Sequence, residues 1–284
     1  MPSEKRQRQD EGRLTRLEQQ QLDERRAQRR RQVRNLAVLL VVLVVVAFLI
    51  SVLSGDDSTT VSSDGTSSST SSRSTSTTVA GAVDIKLPGA GAAITGDTPC
   101  PSSDGSSQRT TSFAKAPPTC IDKAVTYTAT LDTTEGTIVL ALDAAKAPIT
   151  VNNFVVLARY HYYDDVPFHR IIPGFMNQAG DPVGPTPGSG SPGYTIPDEL
   201  PSGDAPYPAG TLAMANTSQA NSGGSQWFIV VDDGGQQLSL TYSVFGHVTG
   251  GQDVVDAINK LGDGATNGTP TKLVTIKTVT ISES

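Results

Sequence analysis

The chain has 284 residues and a formal net charge of -6, and its length allows one or two ordinary domains. The charge is unevenly distributed, because residues 1–34 hold eleven of the 22 Lys and Arg residues but only six of the 28 Asp and Glu residues. The acidic remainder lacks the positive surface that a phosphate backbone requires, so the folded part is predicted not to bind nucleic acid.

An uncharged apolar run, LAVLLVVLVVVAFLISVL, follows the basic segment 1–34. It is about long enough to cross a ~30 Å hydrocarbon core as a helix, so residues 35–53 are predicted to form a transmembrane helix in a lipid bilayer. A cleaved signal peptide is the alternative, but no A-x-A-like cleavage site follows. Six arginines between Arg25 and Arg34 precede the span, which by the positive-inside rule places the amino terminus in the cytoplasm and the remainder in an extracytoplasmic location.

Two segments without a folding pattern come next. Residues 54–96 begin with a Ser/Thr-rich stretch that buries too little apolar surface to fold, and they are predicted to form a flexible stalk. Residues 97–124 are rich in proline and are predicted to be an irregular lead-in. This lead-in contains both cysteines, Cys100 and Cys120, on the side of the span where disulfides persist. A disulfide is predicted; the alternative is a pair of free or metal-binding thiols, although no histidine lies within 40 residues.

Regular structure is predicted to begin near Val125. The runs VTYTATL (125–131) and GTIVLAL (136–142) alternate in character and are joined by DTTE, as in a β-hairpin. A helix is predicted over 147–160, where Pro148 suits the first turn and apolar residues recur at helical spacing.

Short β-rich runs follow, separated by loops of Gly, Pro and Ser, with a second predicted helix over 251–262 and a closing strand over 273–281. Many short strands with two isolated helices favour a mainly β fold, a closed antiparallel barrel, over a parallel α/β sheet.

Three motifs carry the functional prediction. The run FHRIIPGFMNQAGD (168–181) is ambiguous alone, because its apolar residues could be core and Arg170 a surface cation. Together with TLAMANTSQANSGGSQWFIV (211–230) and YSVFGHV (242–248), it resembles the signature of the cyclophilins in both order and approximate spacing. The resemblance covers residues 125–284, and the membrane-anchored cyclophilins of Gram-positive high-GC bacteria are most similar to the chain as a whole.

The resemblance implies a closed eight-stranded antiparallel β-barrel capped by two helices, with an external groove for an extended X-Pro peptide. It implies peptidyl-prolyl cis/trans isomerase activity without a metal or cofactor, assisting the folding of secreted or envelope proteins. The residues that match catalytic positions of the family are Arg170, Phe175 and Gln178. Those that match substrate-binding positions are Met176, Ala215, Asn216, Gln226, Phe228, Leu238 and Tyr242. By periodicity alone, Met176, Phe228 and Leu238 fit a pure core role equally well.

The sequence departs from the animal cyclophilins at several positions. Gln237 stands where a tryptophan is common and Tyr242 where a histidine is common, which argues against cyclosporin binding. Trp227 replaces a phenylalanine and is expected to face the core, and Ala179 stands where glycine is usual. The loops TSQANSGG and PVGPTPGSGS also differ from the family pattern, which predicts an altered substrate range.

Other functional classes have less support. The three histidines show no metal-binding spacing, and His169 is expected to be structural. The pairs Asp164–Asp165 and Asp198–Glu199 could be proposed as acid/base groups of a hydrolase, but adjacent carboxylates on loops are usually solvated or cap helices. The main alternative is a cyclophilin-like peptide-binding or scaffolding module, tethered to the membrane, with weak or no catalysis.

Overall fold

The computed structural model of the protein describes residues 83–202 and 207–284. The predicted cytoplasmic segment 1–34, the predicted span 35–53 and the stalk up to residue 82 lie outside this part of the chain. Within the described residues, none of the helices combines the length and the apolarity that a bilayer crossing needs.

The described residues form a mainly β fold with two α-helices. The strands are β1 (Ala92–Ile94), β2 (Thr110–Phe113), β3 (Tyr127–Thr133), β4 (Gly136–Leu142), β5 (Val166–Pro167), β6 (Arg170–Ile172), β7 (Met176–Ala179), β8 (Thr211–Met214), β9 (Trp227–Val230), β10 (Val244–Gly250), β11 (Gly262–Asp263), β12 (Thr269–Pro270) and β13 (Thr275–Glu283). The α-helices are α1 (Pro148–Arg159) and α2 (Gln252–Asn259), and two 3-10 helices span Asp232–Gln237 and Gly264–Thr266. Nine strands form the main sheet in the order β5-β13-β3-β4-β10-β8-β9-β7-β6.

Strands β3 and β4 form the predicted hairpin. They pair antiparallel from Tyr127 opposite Leu142 to Thr133 opposite Gly136, and buried residues alternate with more exposed ones along both strands. This period of two places one face of each strand against the core. The predicted first strand was displaced by two residues at each end, because the pairing with β13 extends β3 to Thr133.

Helix α1 covers the main core and is capped by a residue from a distant loop. Pro148 occupies its first turn, as predicted, where no backbone N–H is needed. The carboxylate of Glu199 accepts hydrogen bonds from the N–H groups of Ile149 (2.9 Å) and Thr150 (2.8 Å), and from the Thr150 hydroxyl (2.8 Å). A negative charge at this end of the helix also stabilises its dipole. Glu199 therefore acts as a helix cap and holds the loop before residue 202 against α1.

The sheet is a curled half-barrel of nine strands, and the closure that the expected eight-stranded barrel requires is not shown. Among the described strands no hydrogen-bonded ladder joins β5 to β6, the two ends of the sheet. These end strands are nevertheless consecutive in the chain, separated only by Phe168 and His169. The Phe168 N–H bonds to Val274 O (2.9 Å) and the Ile171 N–H to Gly268 O (2.7 Å), so the segment leaves one ladder before it enters the other. The strand pairing is therefore interrupted at Phe168 and His169.

The inner face of the sheet and helix α1 enclose an aromatic core. Trp227 is fully buried and its ring meets Phe154 (6.1 Å between centroids), Tyr163 (6.3 Å) and Phe168 (5.9 Å) edge-to-face. Aromatic pairs with this geometry add about 0.5–1.5 kcal/mol each beyond the area that they bury. Trp227 thus faces the core, as the sequence predicts.

The lead-in contains more regular structure than its composition indicates. Strand β2 lies in the lead-in and pairs in parallel with β1, and Phe113 at the end of β2 is only 1% exposed. Strand β1 belongs to the segment 54–96, so the last residues of the predicted flexible stalk are ordered instead by this pairing. The predicted disulfide joins Cys100 to Cys120, whose Cα atoms are 5.4 Å apart. The proline-rich composition conceals this order, because it depends on packing against the rest of the domain and on the disulfide.

Candidate active site

Four neighbouring strands of the sheet, β8, β9, β7 and β6, have two apolar faces. Their inward residues join the main core, and their alternate residues form a second apolar cluster on the outer face, which we call the outer cluster. The buried members of the outer cluster are Met176, Tyr207, Ala213, Phe228 and Val230. Side chains of successive strand residues point to opposite faces, so the sheet itself separates the outer cluster from the main core.

Six of the predicted site residues belong to the outer cluster. They are Phe175, Met176, Ala215, Phe228, Leu238 and Tyr242. The ring of Tyr242 meets that of Phe228 edge-to-face, with centroids 5.3 Å apart and planes at 89°. Met176, Phe228 and Leu238 therefore line the outer surface and do not enter the main core, which answers the question that periodicity left open.

Arg170 begins strand β6 beside this cluster. It lies opposite Gln178 on β7, while Ile172, two residues further on the same face, lies opposite Met176. Its Nη1 donates to Gln178 Oε1 over 3.4 Å, a long contact, and its Nε and Nη2 donate to the backbone oxygen and Oδ1 of Asn267 (3.3 and 3.2 Å). A guanidinium has five N–H donors, so three have partners among the described residues and two remain.

Asn267 is a positioning residue that the sequence motifs do not identify. It adopts a left-handed conformation (φ 59°) after the 3-10 helix Gly264–Thr266, and this turn presents both of its oxygens to Arg170. The next residue, Gly268, has φ 95°, and a Cβ there would lie 3.1 Å from Arg170 Cγ. The Asn-Gly pair is a recognisable turn signal, but its distance from Arg170 in the sequence conceals the contact.

A chain of side-chain amides fixes Gln178. Its Nε2 donates to Gln226 Oε1 (3.0 Å), and Gln226 Nε2 in turn donates to the carbonyls of Gly188 (2.8 Å) and Gly190 (3.0 Å). Because these bonds use the NH₂ groups of both glutamines, Gln178 Oε1 is directed to Arg170. The predicted residues Gln178 and Gln226 therefore form one network with Arg170.

Asp181 organises the loop that supports this network. Its fully buried carboxylate accepts four backbone N–H groups: Val183 and Gly184 on Oδ1 (3.0 and 2.8 Å), and Gly188 and Gly190 on Oδ2 (2.8 and 2.9 Å). A buried charge is stable only when it is hydrogen-bonded in this way. Asp181 closes the motif from 168 to 181, yet only the fold shows that it shapes the loop 181–190.

Asn259 holds the turn that carries Phe175. Located at the end of α2, its side chain accepts the N–H of Gly174 (2.8 Å) and donates to Ile172 O (2.9 Å) and Asn177 Oδ1 (2.8 Å). The turn between β6 and β7 is thereby fixed to the helix. Periodicity places Asn259 in a helix but gives no indication of this contact.

Tyr207 fixes the position of Tyr242. Its hydroxyl donates to Tyr242 O (3.0 Å) and accepts the Tyr242 N–H (3.1 Å), and burial raises its pKa. No motif in the sequence distinguishes Tyr207. Gln237, the other departure at this end of the outer cluster, closes the 3-10 helix Asp232–Gln237.

Ala215 and Asn216 follow β8 between two clefts of about 460 and 420 Å³. The Ala215 N–H bonds to Gln226 O (2.9 Å), and Asn216 Nδ2 donates to Thr241 O (2.7 Å). No hydrogen bond within residues 83–202 and 207–284 uses the backbone N–H or C=O of Asn216. The structure therefore leaves this backbone free to pair with an extended ligand.

His169 lies next to Arg170 and is buried against the loop 181–190, where a Cβ on Gly188 would lie 2.9 Å from its ring. It is 8% exposed, and among the described residues neither ring nitrogen has a hydrogen-bond partner. Burial lowers its pKa to about 4; the Arg170 cation acts in the same direction, and the Asp181 carboxylate opposes both. The ring is therefore neutral near pH 7 and adds no charge to the site.

Comparison with known proteins agrees with this geometry. The family model described as cyclophilin type peptidyl-prolyl cis-trans isomerase/CLD matches residues 128–281. Peptidyl-prolyl cis-trans isomerase A of Mycobacterium tuberculosis is 42% identical over 178 residues, covering 55% of this chain and 93% of the relative. A peptidyl-prolyl cis-trans isomerase of Synechococcus elongatus is 52% identical over 101 residues, which cover 36% of this chain and 66% of the relative.

A solved structure is also similar. It is the crystal structure of a Cryptosporidium parvum cyclophilin type peptidyl-prolyl cis-trans isomerase in the presence of dipeptide ala-pro. It matches with a TM-score of 0.50 and 28% sequence identity, covering 55% of this chain and 99% of that chain.

Proposed function

Since the chain belongs to the cyclophilin family of peptidyl-prolyl cis-trans isomerases, we propose that its outer cluster binds extended X-Pro segments and that Arg170 accelerates rotation of their peptide bonds. One observation supports this most strongly. Within the described residues, the Arg170 guanidinium keeps two N–H donors without a partner and lies beside the outer cluster, and the backbone of Asn216, which follows β8, makes no hydrogen bond. The similar Cryptosporidium cyclophilin was crystallised in the presence of an Ala-Pro dipeptide, which fits the same ligand class.

The guanidinium suits the chemistry of rotation. In a planar X-Pro bond the nitrogen lone pair is delocalised into the carbonyl, and rotation costs ~18–20 kcal/mol because this resonance is broken. In the twisted state the lone pair returns to nitrogen, which becomes a hydrogen-bond acceptor. An Arg170 N–H directed at that nitrogen binds the twisted state better than either planar state, which lowers the barrier. The bonds to Asn267 and Gln178 hold the cation in this position.

Catalysis also requires a rigid apolar site that binds the proline ring and excludes water, and the outer cluster provides this site. Met176 and Phe228 form its buried floor, while Phe175, Leu238 and Tyr242 are partly exposed at its margin. With the ring held, rotation is confined to the preceding residue, and exclusion of water strengthens the bond from Arg170. The free backbone of Asn216 pairs with the substrate chain beside the ring.

The test replaces Arg170 in the full chain with Ala and with Lys. We expect Arg170→Ala to lower kcat about 100-fold or more, since one charged donor to a transition state contributes about 3 kcal/mol, with peptide affinity changed less than threefold. Arg170→Lys retains the charge but not the fork of donors, and should recover only part of the rate. The measurement is NMR exchange between the cis and trans forms of a proline peptide.

Lys277→Ala is the matched control, because Lys277 is an exposed cation that pairs with Asp132 on β3, away from the outer cluster. It should leave the exchange rate unchanged. If the unmutated chain binds proline peptides without accelerating their exchange, it is a binding module, and the proposed role of Arg170 is wrong.

The location of this activity is a further part of the proposal. The apolar run at 35–53 and the arginines before it support a membrane anchor with the isomerase domain on the extracytoplasmic side. The disulfide between Cys100 and Cys120 fits an oxidising compartment. Secreted and envelope proteins with X-Pro bonds are then the clients whose folding the enzyme assists.

A further inference from the structure

The lead-in, residues 97–124, precedes the region that the family model matches, which starts at residue 128. It is nevertheless packed into the domain. Four of its side chains are 3% exposed or less, namely Thr98, Thr110, Thr111 and Phe113. Phe113 lies between Cys100 and Cys120, so the disulfide closes the loop of chain that carries it.

Phe113 contacts the wall of the 420 Å³ cleft directly. That wall includes Gly188, Ser191, Tyr194 and Thr195 of the loop 188–195, and the cleft also borders Gln178, Ala215, Asn216 and Gln226. The Phe113 N–H donates to Pro192 O over 2.8 Å. A Cβ on Gly193 would lie 2.4 Å from Phe113 O, so the two backbones touch at a glycine with φ 105°.

The Phe113 side chain also packs behind this wall. Its ring meets Tyr194 with centroids 6.2 Å apart and planes at 76°. On its other side it meets Tyr160 at 5.5 Å, next to the end of α1. The ring therefore lies between the cleft loop and the helix, and a smaller residue would leave a void behind Tyr194.

A second connection runs through two adjacent asparagines of α1. Asn152 accepts the Cys120 N–H (2.7 Å) and donates to Pro118 O (2.9 Å), which ties the lead-in to the helix. Asn153 donates to Gly224 O (2.7 Å) and accepts the Tyr194 hydroxyl (2.7 Å), which ties the helix to the cleft. The lead-in and the cleft wall are thus fixed to the same turn of α1.

From these contacts we propose that the disulfide-bonded lead-in positions the cleft wall 188–195, with Phe113 as the positioning residue, and so sets the affinity for peptides long enough to fill the cleft. This inference rests on the proposed function, because it assigns the cleft to substrate residues beyond the proline. Arg170 and the outer cluster have no direct contact with the lead-in within the described residues. The contacts of Phe113 fall on Pro192, Gly193 and Tyr194, beyond the carbonyls of Gly188 and Gly190 that hold Gln226, so we expect the proline site to change less than the far part of the cleft.

The experiment compares two peptides on the full chain: a capped Ala-Pro dipeptide and a capped decapeptide with the same Ala-Pro bond at its centre. Affinity is measured by NMR titration, and isomerisation by exchange. In Phe113→Ala we expect the Kd for the decapeptide to rise at least fivefold, while affinity and exchange rate for the dipeptide stay within twofold. The matched control is Ile121→Ala, because Ile121 is buried in the same lead-in without a hydrogen bond to the loop 188–195 in the described structure. It should leave the ratio of the two affinities unchanged.

The double variant Cys100→Ser/Cys120→Ser releases the loop that carries Phe113 while retaining its side chain. It should show the same selective loss, and it decides the question if Phe113→Ala does not fold. Equal losses for both peptides, or no change in the decapeptide Kd in the folded variants, would overturn the inference. The exchange rate of the unmutated chain tests the proposed function separately, because the ratio of affinities is measurable without turnover.

Discussion

At the scale of single residues, Arg170 depends on a partner nearly one hundred positions away in the sequence. The motif around Arg170 predicts the cation, and the same motif includes Gln178. Asn267 contributes two acceptors to the guanidinium, yet it belongs to a turn with no pattern of its own. The presence of the cation is therefore predictable from the sequence motif, whereas its orientation depends on the fold.

Replacement of Asn267 tests this dependence. Asn267→Gly keeps the left-handed backbone and its carbonyl but removes Oδ1, so we expect kcat to fall about three- to tenfold, or about 0.7–1.4 kcal/mol, the net contribution of one typical hydrogen bond. Asn267→Asp retains an acceptor and should keep more than half of the wild-type rate. Equal rates in Asn267→Gly and the wild type, measured by NMR exchange, would show that the backbone oxygen alone orients Arg170.

The histidines offer a second test, by pH. Burial holds the pKa of His169 to about 4. Burial also opposes protonation of His161, but bonds to Gly105 O and the Asp164 carboxylate outweigh it and raise that pKa. We expect NMR titration to show His161 protonating before His169 as the pH falls, with the ring of His169 still neutral at pH 5.

The stability effect of His169 has a definite sign. Its pKa is lower in the folded chain than the ordinary 6.5, so the unfolded chain binds more protons between about pH 6.5 and 4. Stability is therefore complete above 6.5 and falls as the pH drops towards 4, by up to about 3 kcal/mol from this group. His169→Asn should reduce this slope in denaturant unfolding. A His169 resonance that titrates near 6.5 would contradict the burial on which the argument depends.

At the scale of elements, local sequence patterns predicted the positions of helices and strands better than they predicted which strands pair. The hairpin β3–β4 and both helices are found within a few residues of their predicted positions, because alternation and helical spacing are local signals. The interruption at Phe168–His169 was not predictable, since it depends on the different ladders that β5 and β6 join. Strands β1 and β2 were missed for the same reason: their order comes from packing partners far along the chain.

The candidate site shows the same division. Recognition of the motifs found the residues of the outer cluster, and alternation along β7 and β9 explains why Met176 and Phe228 share a face. Asn259 and Tyr207, which fix the turn before Met176 and the position of Tyr242, have no comparable signal in the sequence. Their hydrogen bonds to distant backbone groups do not produce a periodic sequence pattern. Positioning residues thus emerge only from the assembled structure.

At the scale of the whole molecule, the proposal joins a folded isomerase to a membrane anchor. The prediction concerns topology and is tested on intact cells. A protease added outside the membrane should release a fragment that contains Arg170 and retains isomerase activity, while an epitope placed before residue 34 stays protected. Protection of the isomerase fragment, with exposure of the epitope, would reverse the predicted orientation.

The position of strand β13 has a consequence for folding. It lies between β5 and β3 in the sheet, and residue Ser284 exchanges backbone hydrogen bonds with Thr126 (3.0 Å each). Strand β3, the first strand of the main sheet along the chain, therefore pairs with β13, which follows it by about 150 residues. Because contacts of such long sequence separation form slowly, the pairing of β3 with β13 is expected to be a late and slow step in the folding of the main sheet.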